Sequence, residues 1–150
     1  MPKVHVNWVD NLKFVSEDER HNRTFMEASP QHGGSGSETS PMDLFLSALG
    51  GCICITIVTM LKAREQTPKS ISMTIDGALK TDPPRFFEKI TIKLTIIGDL
   101  SDQIVERVVR LTMTKLCPIA AMLGKVTEMS WGYQLLSSKQ VDPAISVENQ

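Results

Sequence analysis

The sequence predicts an α+β fold, with three short strands, one long helix, and then strands and helices in alternation. Three observations predict it: apolar and polar residues alternate in several short runs, one long segment carries no charge, and a later segment has helical spacing. The predicted element order is β-β-β-α-β-β-α-α-β. For a chain of 150 residues, this indicates one domain over residues 1–136 and a polar C-terminal tail over residues 137–150.

The first 28 residues predict an antiparallel meander of three strands. Val4, Val6 and Trp8 alternate with polar neighbours, and residues 12–15 and 23–27 form two further runs. The Gly- and Ser-rich stretch that follows, residues 33–37, predicts a flexible connection. It does not match a phosphate-binding loop, because it lacks the third glycine of GxGxxG and no GKS or GKT follows.

The clearest helix start lies at Ser40, which can cap the helix. Pro41 suits the first helical position, and Asp43 completes an S-x-x-D pattern. The helix is predicted from Met42 to about residue 63, and residues 44–61 carry no charge. A helix that is apolar all round is expected to be buried on all sides, in a domain core or an oligomer interface. Its length approaches that of a membrane span, but interrupting polar residues and flanking polar strands favour a soluble protein.

The second half of the chain predicts two strands, two helices and a last strand. The strands cover residues 70–79 and 87–97, and Asp99 or Ser101 caps the next helix. The run Leu116-Cys117-Pro118 breaks that helix. The remaining elements are a short helix over residues 118–123 and a strand over residues 126–136.

Composition excludes several classes of function. Sixteen basic and seventeen acidic residues give a net charge of -1, whereas nucleic-acid-binding proteins usually carry a basic excess. The N-terminus has no apolar run, so we expect a cytoplasmic protein with neither a secretory signal nor a membrane anchor. Three cysteines, an odd number, indicate reduced thiols. With no CxxC motif and no histidine at zinc-site spacing from a cysteine, we expect neither a metal nor a cofactor.

The cysteines are the candidate reactive groups. Cys117 precedes Pro118 at the start of a short helix, where free backbone N–H groups and the helix dipole are expected to lower its pKa. The residues alone leave open whether it is reactive or a buried structural thiol. Cys52 and Cys54 lie in mid-helix, where small core residues are the default. Cys52 could face Cys117 from a neighbouring helix, because the two glycines before it permit a close approach.

Two well-separated motifs each contain one of these cysteines. They read Ser40-Pro41-Met42-Asp43-Leu44-Phe45 with Ala48-Leu49-Gly50-Gly51-Cys52, and Leu116-Cys117-Pro118-Ile119-Ala120-Ala121. Together they resemble the OsmC family, which includes the organic hydroperoxide resistance proteins. The resemblance covers about residues 3–136 in the same element order.

This resemblance implies an intertwined homodimer, with antiparallel sheets around the long helices at its centre and two sites at the subunit interface. It implies that Cys52 attacks a hydroperoxide oxygen, that Cys117 resolves the sulfenic acid as a disulfide, and that an external thiol reductant restores both. Cys54 matches no family position. Because the local argument favours Cys117 as the lower-pKa thiol, the attacking sulfur stays open.

The sequence departs from the family's peroxidases at two positions. Those enzymes carry an arginine in the N-terminal hairpin, which holds the cysteine as a thiolate, and a glutamate just after the helix-start proline. Here the hairpin reads Asn11-Leu12-Lys13, and Met42 follows the proline with Asp43 next. Lys13, Arg20 and Arg23 are candidates for the supporting cation, and Asp43 is the candidate carboxylate.

Two functions remain open. The leading hypothesis is thiol-dependent reduction of organic hydroperoxides through Cys52 and Cys117. The alternative is a non-enzymatic relative that binds a small apolar ligand or senses oxidation at the dimer interface, because the family's arginine and glutamate are missing. A purely structural or interaction protein is what remains if both thiols are inert.

Overall fold

The structure, a computed structural model, describes residues 1–139. It forms two compact units, residues 1–48 and residues 49 onward, and the division falls inside the long helix. The α+β class and the predicted element order are confirmed. The elements are β1 Val4–Asp10, β2 Lys13–Asp18, β3 Arg23–Glu27, α1 Pro41–Lys62, β4 Ser70–Leu79, β5 Phe87–Ile97, α2 Asp102–Leu111, α3 Pro118–Leu123 and β6 Glu128–Leu136.

The extent of the domain, residues 1–136, stays a prediction. Residues 140–150 of the predicted tail lie outside the described residues. At the start of that tail, the backbone N–H of Ser138 donates to Asp99 Oδ1 at 3.1 Å.

The first unit contains an antiparallel sheet in the order β1-β2-β3, which confirms the predicted meander. β2 extends to Asp18, beyond the predicted run, because its polar end continues to pair with β1. Trp8 lies opposite Phe14 in the register, so Val4, Val6, Trp8 and Phe14 share one face of the sheet. Trp8 is 67% exposed. One apolar face of this sheet is therefore open to solvent in the single chain.

The Gly- and Ser-rich loop of the first unit closes around a buried carboxylate. Glu27, at the end of β3, is only 2% exposed. Its carboxylate accepts hydrogen bonds from the Ser35 backbone N–H at 2.7 Å, the Ser35 hydroxyl at 3.0 Å and the Ser37 backbone N–H at 3.1 Å. These hydrogen bonds lower the pKa of Glu27 to about 2. The loop is thus not the open, flexible connection that its composition predicts.

A glycine is required at one position of this loop. A Cβ atom at Gly34 would overlap the backbone carbonyl oxygen of Ala28. The Gly34 N–H also donates to the Ser29 carbonyl oxygen at 3.1 Å. The loop therefore lies directly against the chain that leaves β3, and a side chain at Gly34 would push it away.

The second unit contains a mixed sheet in the order β4-β5-β6. β4 and β5 have the predicted bounds and pair antiparallel, whereas β6 pairs parallel to β5 and begins at Glu128, later than predicted. The parallel pairing follows from the two helices that connect β5 to β6, since parallel strands need a crossover of this length. The central strand, β5, is buried at Phe87, Ile90, Ile92, Leu94 and Ile96.

Only one stripe of α1 is buried by its own chain. A Cβ atom at Gly50 would lie 3.0 Å from Ile75 Cδ1, so the helix comes close to β4 at that residue. On another side of the helix, Ile55 is 69% exposed. Burial on all sides is therefore not achieved within a single chain. The buried stripe consists of Leu49, Ile53, Ile57 and Leu61.

Among the described residues, α1 is the one helix that is long and apolar enough to cross a membrane, with a mean hydropathy of 2.3. This criterion uses length and composition alone, and core helices of soluble proteins also meet it. The buried stripe and the close approach to β4 are those of a helix that packs within a globular fold.

We expect the Glu27→Gln variant to melt about 5 °C lower than the wild type at neutral pH, because the loop loses its charged acceptor. Since folding lowers the pKa of Glu27 from 4.5 to about 2, its stabilisation is present above about pH 4.5 and lost as the pH falls towards 2. The two proteins should therefore converge in acid. Thermal melts followed by circular dichroism across this range measure the effect.

The control variant is Glu88→Gln, at an exposed position of β5. It should melt within about 1 °C of the wild type at every pH. A Glu27→Gln variant with the same pH dependence as the wild type would contradict the role of the buried carboxylate.

Candidate thiol site

The structure brings Cys52 and Cys117 into direct contact. The Cys117 thiol donates a hydrogen bond to Cys52 Sγ, with the two sulfur atoms 2.7 Å apart. This distance exceeds the roughly 2.05 Å of a disulfide bond, and both cysteines are free thiols. Both residues belong to the second compact unit, so the packing of one unit is sufficient to pair them.

Each cysteine is positioned by a different local structure. Cys52 lies on α1 next to the buried stripe and is itself half-buried. α2 does not continue to the Cys-Pro break but widens into a π-helical turn, Thr112–Leu116. Cys117 follows this turn in an extended conformation and caps α3, with Pro118 as the first helical residue. Cys117 is fully buried, so a reagent reaches the pair from the Cys52 side.

The pKa of Cys117 is raised to about 11. Burial is the largest cause, because it removes the water that would stabilise a thiolate, and the hydrogen bond to Cys52 acts in the same direction. The backbone N–H groups of Ala120 and Ile119 lower the pKa, as expected at a helix start, but they are outweighed. The prediction that Cys117 is a low-pKa thiol is therefore wrong.

This arrangement gives the two sulfurs different roles. Cys117 remains protonated near neutral pH and its proton points to Cys52. A negative charge is better hydrated on the half-buried Cys52 than on the fully buried Cys117. Cys52 is therefore the more accessible sulfur of the pair, and Cys117 is its hydrogen-bond donor.

Cys54 occupies a different side of α1 from Cys52, because a step of two residues along a helix rotates the side-chain direction by about 200°. It is half-buried, and burial raises its pKa. Within residues 1–139, no group of three or more His, Cys, Asp or Glu side chains is arranged to hold a metal ion. The sulfur pair is therefore the chemically distinctive feature of the described chain.

The candidate cations of the first unit are engaged by acidic or hydroxyl groups of that unit. Lys13 Nζ donates to Ser37 Oγ at 2.8 Å and lies 3.7 Å from Glu38 Oε1. Arg23 Nε lies 2.7 Å from Glu17 Oε2, and the Arg23 hydrogen bond contributes to the lowered pKa of Glu17 after that of His21.

The backbone N–H of Arg20 and the side chain of Asp43 also have local partners. The Arg20 backbone N–H donates to Asp18 Oδ1 at 2.8 Å, and its charge contributes to the lowered pKa of Asp18, behind hydrogen bonds from Asn22. The Ser40 hydroxyl donates to Asp43 Oδ2 at 2.6 Å, and the Asp43 N–H donates back to Ser40 Oγ at 3.2 Å. Ser40 therefore caps α1, as the S-x-x-D pattern predicts. The four supporting residues stay predictions as far as the thiols are concerned.

Sequence reasoning missed Thr112, at the start of the π-helical turn. It is fully buried, and its carbonyl oxygen accepts the Cys117 N–H at 3.1 Å. No sequence signal marks the turn, because apolar residues keep their helical spacing through Leu116. The change from α to π hydrogen bonding is visible only in the backbone.

The sequence model of the OsmC-like protein family matches residues 34–131. This range contains α1, both paired cysteines and the first residues of β6. The chain belongs to the OsmC family.

A relative in Escherichia coli extends this family relationship over nearly the whole chain. The protein YhfA is 30% identical over 138 residues, which cover 91% of this chain and 99% of YhfA.

Solved structures of other proteins share the fold. A protein from Aquifex aeolicus superposes with a TM-score of 0.81 at 22% identity, covering 92% of this chain and 98% of its own. The organic hydroperoxide resistance protein OsmC from Legionella pneumophila superposes with a TM-score of 0.68 at 17% identity, covering 89% and 96%. These likenesses confirm the predicted OsmC-like fold.

We expect iodoacetamide to alkylate Cys52 before Cys117 in the folded protein at about pH 8. Cys117 should react slowly until the pH approaches 11, because burial and its hydrogen bond raise its pKa to about 11. Peptide mass mapping after brief, low-extent labelling measures the order. All three cysteines should react at similar rates in denaturant. Labelling of Cys117 as fast as that of Cys52 at pH 8 would contradict the assigned roles.

Proposed function

We propose that this OsmC-family protein reduces organic hydroperoxides, with Cys52 as the attacking thiol and Cys117 as the resolving thiol. The observation that carries the proposal is the 2.7 Å contact in which the Cys117 thiol donates a hydrogen bond to Cys52 Sγ. The likeness to the organic hydroperoxide resistance protein of Legionella pneumophila supports the class of substrate.

In the first step, the Cys52 thiolate attacks the terminal oxygen of the hydroperoxide. A sulfur–oxygen bond forms, the oxygen–oxygen bond breaks, and the alkoxide takes up a proton and leaves as an alcohol. Cys52 is thereby oxidised to a sulfenic acid. The Cys117 thiol is placed to donate a hydrogen bond to the sulfur that reacts.

In the second step, the Cys117 sulfur attacks Cys52 Sγ. A disulfide bond forms, the sulfur–oxygen bond breaks, and the oxygen leaves as water with the Cys117 proton and one further proton. A small movement is enough, because the sulfur atoms are already in contact. An external dithiol then supplies two electrons and two protons to restore both thiols. Such a reductant is available in a reducing compartment, and a cytoplasmic location stays a prediction.

An organic hydroperoxide suits the surroundings of the thiols better than hydrogen peroxide does. Ile53, which follows Cys52 in α1, and Ala120, whose backbone N–H donates to Cys117 Sγ, are buried apolar residues. The free energy of an apolar substituent falls when it moves from water into such surroundings, and hydrogen peroxide has no apolar substituent.

We also propose that the protein works as a homodimer. The apolar face of the first sheet and one side of α1 are open in the single chain, with Trp8 67% and Ile55 69% exposed. Exposed apolar surface of this kind is typical of surfaces that bind another protein. A second copy of the chain is the partner that the family resemblance implies.

Oxidation sensing is the second candidate function. It is favoured by the raised pKa of Cys117 and by the absence of any cation among the causes of that shift. A thiol pair that is activated by one hydrogen bond alone is expected to form its disulfide slowly. In a sensor, the disulfide itself is the signal, so slow formation is sufficient. The rate of oxidation separates a sensor from a peroxidase.

We expect cumene hydroperoxide to oxidise Cys52 at least about tenfold faster than free cysteine, which corresponds to one charge-assisted hydrogen bond. Cys52→Ser should abolish the reaction, and Cys117→Ser should stop at a sulfenic acid that dimedone traps. Cys54→Ser is the matched control and should react like the wild type. Stopped-flow kinetics and disulfide mapping measure these outcomes. Full turnover in Cys52→Ser would rule the proposal out.

We expect Ile55→Asp to convert a dimer into a monomer, because a buried carboxylate in an apolar interface is costly. The single chain should still fold, since Ile55 is exposed within it. Light scattering after size-exclusion chromatography gives the mass. Thr67→Asp, in the exposed loop after α1, is the control and should remain dimeric. A wild type that is monomeric at micromolar concentration would refute the homodimer.

A further inference from the structure

The π-helical turn before Cys117 contains a buried hydroxyl group without a hydrogen-bond partner. Thr112 is fully buried, and its Oγ1 atom bonds to no other described residue. Leaving a buried hydroxyl unpaired costs free energy, so nearly all such groups in folded proteins have a partner. An exception beside a reactive thiol calls for a functional explanation.

Thr112 and Cys117 are joined by a backbone hydrogen bond across this turn. The Cys117 N–H donates to the Thr112 carbonyl oxygen at 3.1 Å, which is the i to i+5 hydrogen bond of a π turn. A π turn has about 4.4 residues, so residues five apart are displaced by only about 50° around the axis. Single π turns of this kind occur frequently at functional sites. The turn therefore places Thr112 one turn before Cys117, the residue whose sulfur contacts Cys52.

The hydroxyl of the other threonine in this turn has a hydrogen-bond partner within its own helical segment. The Thr114 hydroxyl donates to the Arg110 carbonyl oxygen at 2.8 Å, which is the common i−4 bond of a helical threonine. The Thr112 hydroxyl makes no such bond, although a helical threonine can do so. Its proton remains available for a group that is not part of the described chain.

The proposed reaction needs a hydrogen-bond donor for the oxygen atoms that it handles. The proton of Cys117 is already directed at Cys52. Both the sulfenic acid oxygen and the departing alkoxide are strong acceptors, and an acceptor in an apolar site needs a donor.

We propose that the Thr112 hydroxyl binds substrate oxygen at the thiol site, by donating a hydrogen bond to an oxygen atom of the hydroperoxide as it reacts with Cys52. This inference rests on the proposed function and adds an oxygen-binding residue to it. In the resting protein the hydroxyl is unpaired, and the arriving oxygen satisfies it. Thr112 would then stabilise the reacting complex at the expense of the resting fold.

The test compares Thr112→Val with Thr112→Ser. Valine keeps the shape of threonine but has no hydroxyl, whereas serine keeps the hydroxyl and loses a methyl group. For each protein we would measure the melting temperature, the rate of oxidation by cumene hydroperoxide, and the rate of Cys52 alkylation by iodoacetamide. Alkylation reports the accessibility and nucleophilicity of Cys52 without delivering a peroxide oxygen.

We expect Thr112→Val to melt about 2–4 °C higher than the wild type, because it removes an unpaired buried hydroxyl. Its reaction with cumene hydroperoxide should be about tenfold slower, as for the loss of one hydrogen bond. Its alkylation rate should stay within about twofold of the wild type. Thr112→Ser should react with the hydroperoxide within about twofold of the wild type, although it lacks a buried methyl group.

Four outcomes would overturn the inference. A valine variant less stable than the wild type would mean that the hydroxyl already has a partner, such as a buried water molecule. Unchanged hydroperoxide kinetics would mean that it binds no reacting oxygen, and equally slowed alkylation would mean a general disturbance of Cys52. A wild type that reacts no faster than free cysteine would refute the proposed function itself, and the inference with it.

Discussion

The hydrogen bond between the Cys117 and Cys52 thiols is the interaction on which the site depends. It links α1 to the start of α3, two elements far apart in sequence, and it requires both to be held by the packing of the second unit. The buried stripe of α1, its close approach to β4 at Gly50 and the π-helical turn before Cys117 each contribute to that position. Without them, a contact of 2.7 Å would not persist.

Burial is the main determinant of the pKa of Cys117 in this pair. A helix start lowers the pKa of a thiol, and the two N–H groups at the start of α3 do so for Cys117. Complete removal from water has the larger effect, and the pKa of Cys117 rises to about 11. Glu27 shows the opposite outcome, because its buried carboxylate receives several donors at once and its pKa falls to about 2. The number of donors, more than burial itself, separates the two groups.

The sequence was sufficient to predict the element order, because strand alternation and helical spacing are local signals. It also identified both cysteines of the pair through their motifs. It could not predict the acid–base character of Cys117, which depends on the packing of distant residues around it. Nor could it predict that residues 33–37 close around Glu27, since nothing local marks that glutamate as buried. The π-helical turn and Thr112 were missed because apolar spacing does not distinguish α from π hydrogen bonding.

In the proposed mechanism, the attacking cysteine has a second thiol as its hydrogen-bond donor. A cation would stabilise the Cys52 thiolate strongly, but it would also have to be desolvated within apolar surroundings. A thiol donor provides a weaker stabilisation at little desolvation cost, and the same sulfur is already in position to resolve the oxidised cysteine. The proposed site therefore combines a slower nucleophile with a resolving partner that is already in contact. For such a site, any additional donor to oxygen has more influence on the rate than it would beside a guanidinium group.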